Sequence, residues 1–206
     1  MKERLILLSV LSVLCAGCVT DGSQAIELGH AEFDSARTSL PREYSRYDEA
    51  SDTLVPTPLD WLLVEDGEPT DDSCAGERGW LWAHGPGDPR IWLFICPADS
   101  AAEAESIAAD TSLEALFVES LEGIYAAEPV ATEPMGLHAD RARLACAWGP
   151  PNECRGWIYL AQYGAEVVNI QFAVSGHGGV LSQSAFVEFV QSVDAQFDAA
   201  NHPPTT

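Results

Sequence analysis

The sequence predicts an α+β domain in which helices pack against an antiparallel β-sheet, as in an α/β/α sandwich. Three observations support this class: apolar runs flank Gly- and Pro-rich turns, two segments carry apolar residues at helical spacing, and hairpins outnumber crossovers. The 206 residues include 32 acids and 10 basic residues, a formal net charge of −22. An apolar content of 47% favours a folded chain, and the charge disfavours nucleic acid as a partner.

The first predicted strand runs from Thr53 to Val64, and its two prolines restrict its beginning to a sheet edge. We expect residues 61–64 to be its pairing part. A hairpin follows, with strands at 80–84 and 90–95 joined by the Gly- and Pro-rich turn 85–89.

A helical segment is predicted over residues 100–123, with a break near Asp110 because two capping-box patterns occur in it. Residues 143–148 then pair with 154–160, and a turn at 163–166 leads into a strand whose alternation indicates that one face is covered. The last helix is predicted from Ser182 to Ala199, with a buried stripe formed by Phe186, Phe189, Val190, Val193 and Phe197.

The N-terminus has the features of an export signal. An apolar stretch of ten residues, 5–14, follows a short charged segment and leads into Cys15-Ala16-Gly17-Cys18. This ending resembles a bacterial lipobox, which implies that residues 1–17 are a signal peptide and that Cys18 carries a diacyl (palmitate-type) anchor. Val19 after the cysteine implies the outer membrane. An ordinary secretory signal and a redox C-x-x-C motif are the alternatives.

The domain boundaries follow from this assignment. We expect a lipid-anchored tether over residues 18–52, a single domain over 53–199 and a short tail over 200–206.

Four cysteines remain for the fold, and an even number in an exported chain predicts disulfides. Cys74 and Cys96 lie almost symmetrically about one predicted hairpin turn, and Cys146 and Cys154 about another. We therefore expect two hairpin disulfides with these pairings. A zinc site made by all four cysteines is the alternative, although their spacing lacks close pairs.

Several segments together resemble the PsbP-like family of α/β/α sandwiches. They are Pro58-Leu59-Asp60-Trp61, the helix at 100–123, residues 136–141 and the final Val193-Asp194-Ala195-Gln196-Phe197. The resemblance covers about residues 53–198. It implies a non-catalytic protein that acts in assembly or binds a partner, and it supplies no catalytic residue.

The functional expectation is therefore a non-enzymatic envelope lipoprotein that contacts the bilayer through Cys18 and binds an envelope protein, without a cofactor. The alternative is a small-ligand or calcium module. It would use the acids of residues 65–72, expected as a solvated turn, or the tryptophans Trp80, Trp82 and Trp92, which form either a core cluster or an exposed aromatic surface. Three histidines, His84, His138 and His177, lie in different predicted loops or strand ends and are expected at the surface.

Overall fold

The computed structural model describes residues 33–70, 76–85, 89–113, 116, 126–149, 153–174 and 179–201. These residues form ten strands in two antiparallel sheets, together with two α-helices, so the predicted α+β class is confirmed. The strands are β1 (Glu43–Asp48), β2 (Thr53–Pro58), β3 (Trp61–Thr70), β4 (Glu77–His84), β5 (Arg90–Pro97), β6 (Ala126–Val130), β7 (Arg141–Gly149), β8 (Glu153–Tyr163), β9 (Glu166–Ala173) and β10 (Gly179–Val180). The helices are α1 (Ala101–Asp110) and α2 (Gln183–Asn201).

The larger sheet has seven strands in the order β3-β4-β5-β9-β8-β7-β6. The predicted hairpins β4–β5, β7–β8 and β8–β9 are all present as antiparallel pairs. A smaller sheet has the order β10-β1-β2, which places β2 at an edge, as its prolines predict.

The two helices cover opposite faces of the larger sheet. On one face, Ile91, Leu93 and Ile95 of β5 join a core cluster that includes the phenylalanines of α2. On the other face, Trp92 of the same strand packs on a second cluster that contains alanines of α1. Because side chains alternate along a strand, these two clusters lie on the two sides of one sheet. The expectation that β9 is covered on only one face is therefore wrong, since its burial is nearly continuous.

The apolar stripe of α2 is confirmed, because its five predicted members are all at most 1% exposed. Ser182 precedes this helix, and its hydroxyl accepts a hydrogen bond from the Ala185 N–H at 3.2 Å. In α1 the Ser100 hydroxyl accepts from the Glu103 N–H at 3.2 Å, as the first capping box predicts. The helix ends at Asp110, where a break was expected. Residues 117–123 of the predicted segment lie outside the described residues.

The tether prediction is wrong from Phe33 onward, because these residues belong to the folded domain. The Phe33 ring packs edge-on against Trp80 with 4.8 Å between ring centroids. The Ser39 N–H donates to the Ser192 hydroxyl at 3.0 Å, and β1 pairs with both β2 and β10. The sequence of β1 shows weak periodicity because the strand is half exposed and Tyr44 is its one buried residue.

The single strand expected over residues 53–64 is two strands in different sheets, separated by Leu59 and Asp60. The acidic turn expected at 65–72 is also wrong in its first part, because β3 continues through it to Thr70. The pairing of β3 with β4 shifts in register after Leu63 and again after Asp66. The charged stretch therefore forms an irregular edge of the sheet. Asp71 and Asp72 lie outside the described residues.

The predicted disulfide between Cys146 and Cys154 is confirmed, with 5.6 Å between their Cα atoms. It closes the β7–β8 hairpin. Cys96 is also disulfide-bonded, but Cys74 lies outside the described residues, so the Cys74–Cys96 pairing stays a prediction.

Replacing Phe189 by Ala tests the contribution of the α2 stripe. Phe189 is fully buried and meets Trp82 edge-on at 6.1 Å between centroids. We expect the free energy of unfolding to fall by about 3–5 kcal/mol, because truncating a buried phenylalanine leaves a cavity. Urea unfolding measures it, and the exposed neighbour Glu188→Ala should change stability by less than about 0.5 kcal/mol. Equal effects of the two substitutions would contradict this packing.

Candidate interaction surface

The exposed apolar side chains are concentrated in one short segment. Among the described residues, the large apolar side chains classed as exposed all lie in β2 and β3: Leu54 at 37%, Val55 at 41%, Leu62 at 59%, Leu63 at 42% and Val64 at 59%. Three of them are consecutive in β3, which is the outermost strand of the larger sheet. We call Leu62, Leu63 and Val64 the β3 strip.

Hydrogen bonds hold both ends of the β3 strip in place. Before it, the Trp61 indole N–H donates to the Pro41 carbonyl at 2.6 Å, and the Asp60 N–H donates to His84 Nδ1 at 2.9 Å. After it, the Asp66 carboxylate accepts from the Trp80 indole N–H at 3.0 Å and from the Ser35 hydroxyl at 3.0 Å. The strip is therefore a fixed surface of the sheet edge.

The chain beyond the β3 strip requires a glycine. Gly67 has a φ of 69°, and a Cβ atom there would lie 2.9 Å from the Trp80 ring. This close contact between Gly67 and the Trp80 ring occurs at the register shift after Asp66. The regular part of the strand edge thus ends at Leu63, and the irregular part runs from Val64 onward.

The sequence around the β3 strip is acidic. Residues 60–72 contain six acids and neither lysine nor arginine. The described acids nearest the strip in sequence, Glu65 and Asp66, are exposed. The apolar residues are therefore next to negative charge, which favours a positively charged partner.

The tryptophan surface considered from the sequence does not form. Trp80 and Trp82 share a face, as predicted, but they are 4% and 3% exposed and belong to the core beneath α2. Trp92 lies opposite Leu81 in the β4–β5 register and packs on the other face of the sheet. The core alternative is therefore the correct one for Trp80 and Trp82.

A buried carboxylate on α2 organises the loop after β6. Asp194 has a side chain only 3% exposed, and its oxygens accept from the His138 N–H at 2.9 and 3.0 Å and from the Ala139 N–H at 3.2 Å. They also accept from the Tyr163 hydroxyl at 2.8 Å, and that hydroxyl lies 3.0 Å from the Tyr159 hydroxyl. The arrangement joins helix, loop and strand β8.

The His138 ring completes this network. Its Nδ1 lies 2.7 Å from Asp194, and its Nε2 lies 3.8 Å from Asp198, one helical turn further along. The hydrogen bond to Asp194 raises the pKa of His138, and the charge of Asp198 adds to the effect. Burial raises the pKa values of Tyr159 and Tyr163, so both phenols stay neutral donors. Sequence reasoning missed Asp194, although an acid four residues after Val190 on an apolar helix face was a usable signal.

A cleft of about 610 Å³ lies between the small sheet and the start of α2. Serine hydroxyls line it together with Arg42, Glu43 and Glu188. The lining also includes the apolar residues Leu40, Pro41, Tyr44, Val180 and Ala185, and its cationic side chain is Arg42, so it is of mixed character and matches neither a strongly anionic nor a purely hydrophobic ligand.

The remaining predicted site residues are distributed as follows. The described residues contain no group of three His, Cys, Asp or Glu side chains placed to hold a metal ion. Cys18 and His177 lie outside the described part of the chain, and His84 is half-buried beside Asp60. Within the described ranges, no helix is long and apolar enough to cross a membrane.

Comparison with known proteins found no matching family model, curated protein or solved structure.

Replacing Asp194 by Ala should lower the free energy of unfolding by about 3 kcal/mol or more, because a buried Tyr hydroxyl and two backbone N–H groups lose their acceptor. Chemical denaturation measures the loss. The half-buried Asp198→Ala is the control and should cost less, since Asp198 lies 3.8 Å from His138 Nε2. A loss for Asp194→Ala no larger than that for Asp198→Ala would contradict the role given to Asp194.

The contribution of His138 should depend on pH. The folded state raises its pKa above the ordinary value of 6.5, so folding favours the protonated ring. The stability of the native chain relative to His138→Gln is therefore greatest below pH 6.5 and decreases as pH rises through the raised pKa. Urea midpoints from pH 5 to pH 9 measure this difference. A difference that stays constant or grows with pH would contradict it.

Proposed function

We propose that the protein is a non-enzymatic lipoprotein of the cell envelope whose domain binds a partner protein through the β3 strip. The observation that carries the proposal is the confinement of the exposed large apolar side chains, among the described residues, to Leu54–Val64. Large apolar side chains exposed beside charged residues are typical of protein interaction sites.

The anchoring part of the proposal rests on the N-terminal sequence. The apolar stretch ending in Cys15-Ala16-Gly17-Cys18 supports acylation at Cys18, and two acyl chains give stable attachment to a bilayer. Val19 supports an outer-membrane destination. The PsbP-like resemblance, which rests on sequence segments, supports a partner-binding role.

The chemistry of the described side chains supports a binding role over catalysis. In the His–Asp pair that most resembles a catalytic dyad, both ring nitrogens of His138 face carboxylates of α2, Asp194 at 2.7 Å and Asp198 at 3.8 Å. The Asp194 carboxylate also accepts from two loop N–H groups and from Tyr163, and so fixes residues 138–139 against α2.

Intact mass measurement tests the anchor and both disulfides together. We expect the membrane-extracted chain to have the mass of residues 18–206 plus a diacyl or triacyl group. Reduction should add about 4 Da, because each disulfide takes up two hydrogens. An unmodified mass would contradict acylation, and an increase of about 2 Da would contradict the Cys74–Cys96 pairing.

Photo-cross-linking in cells tests partner binding. A photoreactive amino acid at Leu62 should give a discrete adduct with one envelope protein, identified by mass spectrometry. The same amino acid at Ala102, an exposed residue of α1, is the control and should not give that adduct. The Leu62→Asp and Val64→Asp substitutions should each weaken binding of the identified protein by about tenfold or more. Identical adducts from positions 62 and 102 would contradict the proposed surface.

A further inference from the structure

We infer that the partner contributes an extended, basic segment that pairs as an additional antiparallel strand with the outer edge of β3 at Trp61–Leu63. The inference rests on the proposed function and specifies the kind of partner. It follows from two independent observations: how the sheet edges are protected, and how charge is distributed around the exposed one.

As formed by the described residues, the two sheets have four edge strands, β3 and β6 in the larger sheet and β10 and β2 in the smaller. Three of them carry features that prevent pairing with another strand. β2 contains Pro56 and Pro58, β6 contains Pro129, and β10 has only two residues. The edge of β3 is different, because features that prevent pairing with another strand occur along only part of this strand.

The protected part of β3 begins at Val64, the last residue of the β3 strip, which has no partner in the register with β4. Register shifts follow Leu63 and Asp66, and the charged residues Glu65 and Asp66 occupy the stretch between them. Before that point, Trp61, Leu62 and Leu63 pair in regular register with residues 84, 83 and 82 of β4. Residues 61–63 contain neither proline, charge nor glycine. A regular apolar edge that lacks these protective features is suited to accept a strand.

Charge determines which segment fits this edge. A second copy of the chain would bring the same acids, Glu65 and Asp66, against this edge, and the chain carries a net charge of −22. The chain's own residues 19–32 contain Asp21, Glu27 and Glu32 and neither lysine nor arginine. Both occupants would add negative charge to an acidic rim. A segment with Lys or Arg complements it.

Strand direction then fixes the order of residues in the partner. In an antiparallel pair, the partner residues opposite Glu65 and Asp66 come before those opposite the β3 strip. The segment therefore has basic residues followed by alternating apolar residues. Leu62 and Leu63 point to opposite faces of the sheet, so apolar partner residues on either face find a neighbour.

Synthetic peptides test the inference on the mature full-length chain. The probe is acetyl-Lys-Arg-Val-Thr-Val-Thr-Val-amide, and its control carries two glutamates in place of the basic residues. Nuclear magnetic resonance titration follows the backbone amide signals. We expect shifts concentrated at residues 61–66, with the basic peptide binding at least about tenfold tighter at low salt and the difference shrinking as salt is added. Equal affinities for the two peptides would overturn the charge argument.

Backbone methylation separates strand pairing from apolar contact. Two further peptides carry N-methyl groups at alternate positions, in opposite phase. Because only every second N–H of a strand faces a given neighbour, we expect one methylated peptide to bind and the other to lose about tenfold or more. Equal binding of both would overturn strand addition. The proposed function would survive that result if the Leu62 adduct still formed.

A matched pair of variants locates the edge. Leu62→Lys places a charge on the open edge, and Val55→Lys places the same charge on the apolar part of β2. We expect Leu62→Lys alone to abolish peptide binding, with both variants keeping the native melting temperature because both residues are exposed. Equal loss in both variants would overturn the assignment to β3, as would a self-associated chain in sedimentation whose dimer dissociates only with Leu62→Lys.

Discussion

The fold depends on the burial of both faces of the central strands β9 and β8, beside which β5 has one buried and one half-buried face. Ile91, Leu93, Ile158, Ile170 and Phe172 are all completely buried, and they belong to clusters on two sides of one sheet. Such a sheet is stable only when each face is covered, because alternate side chains point in opposite directions. The positions of α1 and α2 follow from this requirement. What the fold leaves open are the sheet edges.

The Asp194 network meets a second requirement of the same arrangement. The loop after β6 brings backbone N–H groups against α2, and these donors need an acceptor once they are buried. Asp194 provides it from within the apolar face of the helix, between Val193 and Phe197 in sequence. Its burial is compensated by four donors, with Tyr163 and His138 completing the set. The position of α2 is thereby specified by polar contacts as well as by packing.

Local patterns predicted the elements whose environment is set by neighbouring residues. The phenylalanine stripe of α2 and the Ser100 cap follow from spacings of three to four residues, and the strands of the β4–β5 hairpin follow from a spacing of two. Sequence reasoning therefore found these elements. The small sheet was missed for two reasons. Its β1–β10 pairing joins segments more than 130 residues apart in the chain, and β1, although it lies close to β2 in sequence, is half exposed and has only one buried residue. The β3 strip was predicted as a strand, but its exposure was not predicted, because the consecutive apolar residues of Trp61–Val64 are typical of a buried strand. Exposure of an apolar strand depends on its place in the sheet order, which periodicity does not encode.

The most direct test of an open β3 edge is amide hydrogen exchange of the purified, mature chain at residues 61–63. Amides in β8 and β9 should exchange only through global unfolding, because both faces of those strands are buried. At Trp61–Leu63, where β3 pairs with β4 in regular register, protected and rapidly exchanging amides should alternate, since every second N–H points away from β4. Slow exchange at every amide from Trp61 to Leu63 would show that the edge is already paired in the isolated chain and would contradict the proposed interaction surface.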